Sequence, residues 1–123
     1  MLIIEDNKIY ITKGDDAVID VDISIDGHAY PMQAGDRLTL TVRARPEAAS
    51  PVLLETSGAA GETQLVLAHE KTAQMEVGQY SADIQLTTAE GRRITLWPTP
   101  EGSARRSTSN SRSFTVMPEV TAT

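Results

Sequence analysis

The sequence predicts an all-β fold: an antiparallel β-sandwich of about seven to nine short strands with one short helical turn. Three observations carry this. From Gly78 to Thr87 the residues alternate, with Tyr80, Ala82, Ile84 and Leu86 on one side and Ser81, Asp83, Gln85 and Thr87 on the other. A period of two is what a half-buried strand requires. The same alternation recurs over Ala17–Ile25 and Arg37–Arg45, each run bounded by Gly, Asp or Pro turn signals. Finally, 123 residues without a cysteine make one domain, 1–123, long enough to bury a core without disulfide staples.

In chain order, Ile9–Thr12 is a first strand and Lys13-Gly14-Asp15-Asp16 turns it. Ile19, Val21, Ile23 and Ile25 then point inward, while Asp20, Asp22 and Ser24 point out. Their β-branched density suits a strand. Asp26-Gly27 makes a tight turn, and His28–Pro31 returns until the proline stops it. After a turn over 32–36, Leu38, Leu40, Val42 and Ala44 face inward from the Arg37–Arg45 strand. Pro46–Pro51 connects to a short strand at Val52–Thr56, Ser57–Gly61 turns, and Thr63–Leu67 is the next strand. His69–Met75 lacks a β pattern and holds good helix formers, so the helical turn falls there. Beyond the central strand, Ala89-Glu90-Gly91 forms a hairpin. Arg92–Trp97 runs back with Ile94 and Leu96 inward, opposite Ile84 and Leu86. Residues 98–113 read as a long flexible loop, Ser113–Met117 as the last strand with Phe114 and Val116 inward, and 118–123 as a loose C-terminal tail.

Glu76, Gly78 and Tyr80 have the E-x-G-x-Y spacing of a tyrosine corner, in which a tyrosine hydroxyl ties a strand back to upstream backbone. That motif belongs to immunoglobulin-like sandwiches, so the predicted fold is immunoglobulin-like. Two features of antibody-type domains are missing. Ala82 stands where the second cysteine would be, and no tryptophan lies on the Arg37–Arg45 strand. Apolar packing must replace the bridge.

Composition excludes several function classes. The net charge of −6 opposes sequence-independent binding to nucleic acid, which draws its affinity from a basic face. No apolar run approaches the roughly 20 residues of a membrane span. The first residues, MLIIEDNKIYITKG, do not pattern as a secretory signal. A soluble, cytoplasmically expressed protein is expected, with no cofactor. No metal site is expected either: Asp20, Asp22 and Asp26 form a solvated strand face, whereas calcium collects oxygens from a loop of varied geometry. Adjacent His69 and Glu70 resemble an acid–base pair, but no nucleophile accompanies them and neighbours in sequence face different ways. His28 has no second ligand nearby. Arg37, Arg43 and Arg45 share an outward face and are expected to pair with acids such as Asp83 or Asp20. No serine lies in a G-x-S-x-G elbow, so no catalytic residue is assigned.

The stretches ITKGDDAVIDVDISIDGHAY, GDRLTLTVR, VGQYSADIQLTTAEGRRITL and SRSFTV together carry a resemblance. They resemble the small immunoglobulin-like proteins and N-terminal domains of tailed phages and Gram-positive prophages, of the baseplate upper-protein type. In that group the domain continues into a helical stalk near the point where this sequence stops. The resemblance implies a structural component of a virion tail or baseplate, acting through assembly and without an active site. The implied partner is another copy, forming a homo-oligomer, or another phage structural protein; neither nucleic acid nor membrane is implied. Candidate interaction residues are Trp97, beside the long loop, and Arg105, Arg106 and Arg112 within it, a locally basic segment on an acidic protein. The alternative is an adhesin-like or carbohydrate-binding sandwich, which would use exposed aromatics drawn from Trp97, Tyr30 and Tyr10.

Overall fold

A computed structural model describes residues 2–5, 8–25, 27–45, 49–97 and 114–118. The chain is all-β. In order come β1 (Leu2–Glu5), β2 (Lys8–Thr12), β3 (Ala17–Asp20), β4 (Ser24–Ile25), β5 (His28–Ala29) and β6 (Arg37–Arg43). Then follow β7 (Val52–Ser57), β8 (Gln64–Leu67), the single-turn helix α1 (His69–Thr72), β9 (Gly78–Thr87), β10 (Arg93–Trp97) and β11 (Phe114–Met117).

One sheet has seven strands along the path β1-β2-β11-β9-β6-β7, with β10 pairing to β9. β3 pairs with β8, and β4 with β5, in two smaller ladders. Alternation decides what each strand buries. β6 sends Leu38, Leu40 and Val42 inward, each 0% exposed, and β8 sends Leu65 and Leu67 from the opposite side. With Ile9, Ile11, Ile19, Ile84, Leu86, Phe114 and Val116 they form one apolar cluster. The central strand pairs in full register with β6, from Arg37 opposite Thr87 to Arg43 opposite Ser81.

Several features depart from the sequence reading. β1 is not expected from the sequence; Leu2–Glu5 pairs antiparallel with β2, from Leu2 opposite Ile11 to Glu5 opposite Lys8. The expected Ala17–Ile25 strand is divided between β3 and β4, although its alternation persists: Val21 N still donates to Thr63 O, and Ile23 is buried. Its partner ladder simply ends at Gln64. Among the described residues eleven strands, two of them of two residues each, stand where about seven to nine are expected. Ala44 is exposed, not inward, because a register shift at Val42/Arg43 ends β6, and Arg45 N turns to Ser50 Oγ at 3.2 Å. Trp97, not Leu96, lies opposite Ile84, because β10 is bulged between Thr95 and Trp97. The sheet is not wholly antiparallel, since β11 runs parallel to β2. The Asp26-Gly27 turn is supported at Gly27, whose φ of 80° only glycine adopts freely, between the paired Ile25 and His28. The expected loop 98–113 and the tail from 119 onward lie outside the described residues.

Candidate interaction surface

The corner around Tyr80 fixes the central strand. The Tyr80 hydroxyl donates to Glu76 O at 2.6 Å, so the strand is tied to the backbone four residues upstream. Gly78 opens β9 and faces Val116 of β11. Burial first, then the charge of Glu76, pushes the Tyr80 phenol above its ordinary range, which keeps it a neutral donor. Tyr80→Phe is expected to lower stability by about 1 kcal/mol. The shift should be read as a lower urea midpoint at unchanged slope. A midpoint equal to wild type would show that the tie adds nothing.

Just beyond the corner the sheet changes partners. β11 covers Gly78, Gln79 and Tyr80, and β10 covers Ile84 to Thr87. β6 already occupies one flank of β9 at Leu86 and Gln85, so β10 takes the other, and the sheet order places β11 there too. β10 and β11 are thus two halves of one strand position. Trp97 ends the first half and Phe114 begins the second.

At this root the outward face of the sheet carries Ser81, Asp83 and Arg43. Ser81 is 5% exposed, although alternation placed it outward. Burial raises the Asp83 carboxyl above the ordinary carboxylate range, and the Arg43 charge draws it partly back. Of the expected arginine–acid pairs, Arg43 acts on Asp83 through its charge. Arg43 Nη1 also donates to Ser50 O at 2.6 Å. Asp20 lies in the other layer, where it accepts from Gln64 Nε2 at 3.0 Å. Arg37 Nη1 reaches Gly58 O at 3.3 Å. Trp97 is half-buried and packs against the core cluster. Arg105, Arg106 and Arg112 lie outside the described residues.

A second region lies along β7, the far edge of the large sheet. Val52 and Leu53 are nearly half exposed. They line a shallow groove with Leu54, Glu55, Lys71 and Gln74. Lys71 Nζ donates to Glu55 O at 2.8 Å, so a helix side chain caps a strand-edge carbonyl. This is one way that natural sheets blunt an edge.

The third region is the β3–β8 ladder. Ala17, Ile19, Leu65 and Leu67 point into the core. Val18 and Val66 are cross-strand partners on the other face and are 50% and 55% exposed. Around them stand Asp20, Asp22 and Glu62, all exposed.

The sequence missed a contact beside this ladder. Asp16 Oδ1 accepts from His69 N at 2.7 Å and lies 3.0 Å from His69 Nδ1, fastening the β2–β3 turn to α1. The residues are far apart in sequence, so only the fold reveals the pair. Thr72 beside it is buried and donates to Asp15 O at 2.9 Å. The hydrogen bond to Asp16, then the charge of Glu70, raises the His69 pKa above 6.5. The backbone N–H of His69, then its ring, holds the Asp16 carboxyl below 3.8. A raised histidine contributes stability below its unfolded pKa and loses it as pH rises through the folded value. A depressed carboxylate contributes above its unfolded pKa and loses it as pH falls. The fastening is therefore strongest between pH 3.8 and 6.5. NMR titration of the His69 ring should give a midpoint above 6.5 that moves down in Asp16→Asn. Identical midpoints in both proteins would remove Asp16 as the cause.

Among the described residues no group of three or more His, Cys, Asp or Glu is placed to hold a metal ion. No helix among them is long and apolar enough to cross a membrane. Comparison with known proteins finds no match to a family model, a curated protein or a solved structure.

Proposed function

We propose that the protein is a non-enzymatic structural domain that acts by assembly, as a component of a phage or prophage particle of the tail or baseplate type. The observation that carries this reading is where the exposed apolar side chains stand. Val52 and Leu53 lie on an edge strand, and Val18 pairs with Val66 on an outward sheet face. Sheet edges and outward apolar faces are where one β protein adds to another. The resemblance of the strand and turn pattern to virion domains supports the particle setting. On this reading the chain is made in the cytoplasm and ends in the virion.

A carbohydrate-binding module asks for aromatics that stand free. Trp97 is half-buried against the core, and the Tyr30 hydroxyl donates to Asp36 at 2.7 Å. Assembly is the reading the geometry favours.

The test is the mass of the purified chain by sedimentation, together with co-purification from particles or from cells that express the neighbouring genes. Oligomers, or a defined complex with a particle protein, are the expected result. A chain that stays monomeric at high concentration and joins no particle protein would end the proposal.

A further inference from the structure

Among the described strands, Lys and Arg occur only in the large sheet. No Lys or Arg occurs from Gly14 to Asp36, nor from Pro46 to Glu70. Those stretches contain β3, β4, β5, β7 and β8. The β3–β8 ladder therefore has no cation in its strands, and Asp20 is their one charged residue. Its outward face has the Val18–Val66 pair at the centre and Asp20, Asp22 and Glu62 around it. β3 has no strand partner other than β8 among the described residues. The same chain carries an opposite segment: EGSARRSTSNSR, residues 101–112, has Arg105, Arg106 and Arg112 against the single acid Glu101.

We propose that the outward β3–β8 face docks the arginine-bearing segment 101–112 of a second copy, so that copies associate head to tail. This deepens the assembly reading and rests on it. The face points away from the large sheet, in which Trp97 and Phe114 root that segment. An outward face is open to a second copy. Arginine suits the surface twice over. Its guanidinium pairs with carboxylates, and its stem covers apolar side chains such as Val18 and Val66. Because the two surfaces differ, the contact is heterologous, and repetition gives a ring or an open filament.

Sedimentation velocity of the full chain over a concentration series tests this. Association should grow with concentration at about 0.1 M salt and vanish at about 1 M, as the screening length falls from about 10 to about 3 Å. Asp20→Asn/Asp22→Asn and Arg105→Gln/Arg106→Gln should each weaken association by on the order of tenfold or more. A mixture of the two variants retains one good interface, Arg105 and Arg106 of the first on Asp20 and Asp22 of the second. It should give equimolar dimers and nothing larger. Melting curves that match wild type establish that each variant is folded, and the salt series on wild type does not depend on either.

A mixture that stays monomeric, or association that survives 1 M salt at about full strength, would overturn the proposal. So would a salt-sensitive compaction that is independent of concentration, which is the signature of the segment lying on its own chain. A monomer that still joins a particle protein would overturn self-docking and leave the assembly reading standing.

Discussion

Phe114→Ala is expected to cost about 3–5 kcal/mol, the largest loss from any single truncation in the core. Phe114 is the only phenylalanine of the chain and is 0% exposed. Its strand has two partners, with Phe114 in register with Ile9 of β2 on one side and Tyr80 of β9 on the other. Among the described residues β2 is the only partner of β1. Truncating Phe114 therefore opens a cavity at the one described strand that joins the β1–β2 pair to the rest of the large sheet. Small domains hold about 5–15 kcal/mol in total, so the loss is a large share of it. The melting temperature should fall by roughly 10–20 °C, read by far-UV circular dichroism. Val66→Ala, at an exposed position, should stay within about 0.5 kcal/mol of wild type. Equal effects from the two substitutions would mean that β11 does not hold the sheet together.

Phe114 also shows what the sequence makes legible. Its inward direction follows from alternation with Thr115 and Val116, and so do those of Leu38, Leu40, Ile84 and Leu86. Alternation is a local signal and survives even where a ladder breaks, as at Val21 and Ile23. What alternation cannot supply is the partner. Nothing in Phe114–Met117 announces a parallel neighbour, and nothing in Arg92–Trp97 shows that it shares a strand position with β11. Ala44 was misplaced for the same reason: its direction is set by a register shift at Val42/Arg43, which is a property of the pair β6–β7. The β1 strand went unread because a short apolar run at Leu2–Ile4 has no alternation to mark it. At the surface, Trp97 stood out as an aromatic beside a long loop, but its burial depends on the bulge that turns it toward Ile84. Val18 and Val66 carry no signal at all until the ladder makes them neighbours. The absence of Lys and Arg from both strands is plain in the sequence, yet it acquires meaning only when topology pairs them.

Asp36→Ala is expected to be the second large loss, and its pH dependence identifies the cause. The sequence reads 32–36 as a mere turn into β6, but Asp36 is 1% exposed and serves as a junction. Its Oδ2 accepts from the Tyr30 hydroxyl at 2.7 Å and from Gln33 N at 3.1 Å. A backbone hydrogen bond from Ala89 reaches the same carboxylate from the β9–β10 hairpin. Its own carbonyl accepts from Gly61 N at 2.8 Å. The approach is close: a Cβ on neighbouring Gly35 would sit 2.6 Å from Ala89 Cβ. One carboxylate thus joins the chain before β6, the hairpin after β9 and the tyrosine at 30. Alanine removes the one acceptor that the half-buried Tyr30 hydroxyl and the Gln33 N–H share, so it breaks several bonds where removing a single donor breaks one. Tyr30→Phe should therefore be the milder change, with Asp36→Ala lowering the melting temperature by roughly 5–15 °C. The Tyr30 bond, then the Gln33 backbone, holds the Asp36 carboxyl below 3.8. Its contribution is present above that unfolded value and disappears as pH falls through the lower folded one. The difference between wild type and Asp36→Ala should hence be full near neutral pH and shrink steeply under acid. Asp36→Asn, which keeps the shape but lacks the charge, should lose most of the pH response while retaining part of the stability. A gap between wild type and Asp36→Ala that stays constant from neutral pH into acid would place the stabilisation in packing, not in the carboxylate.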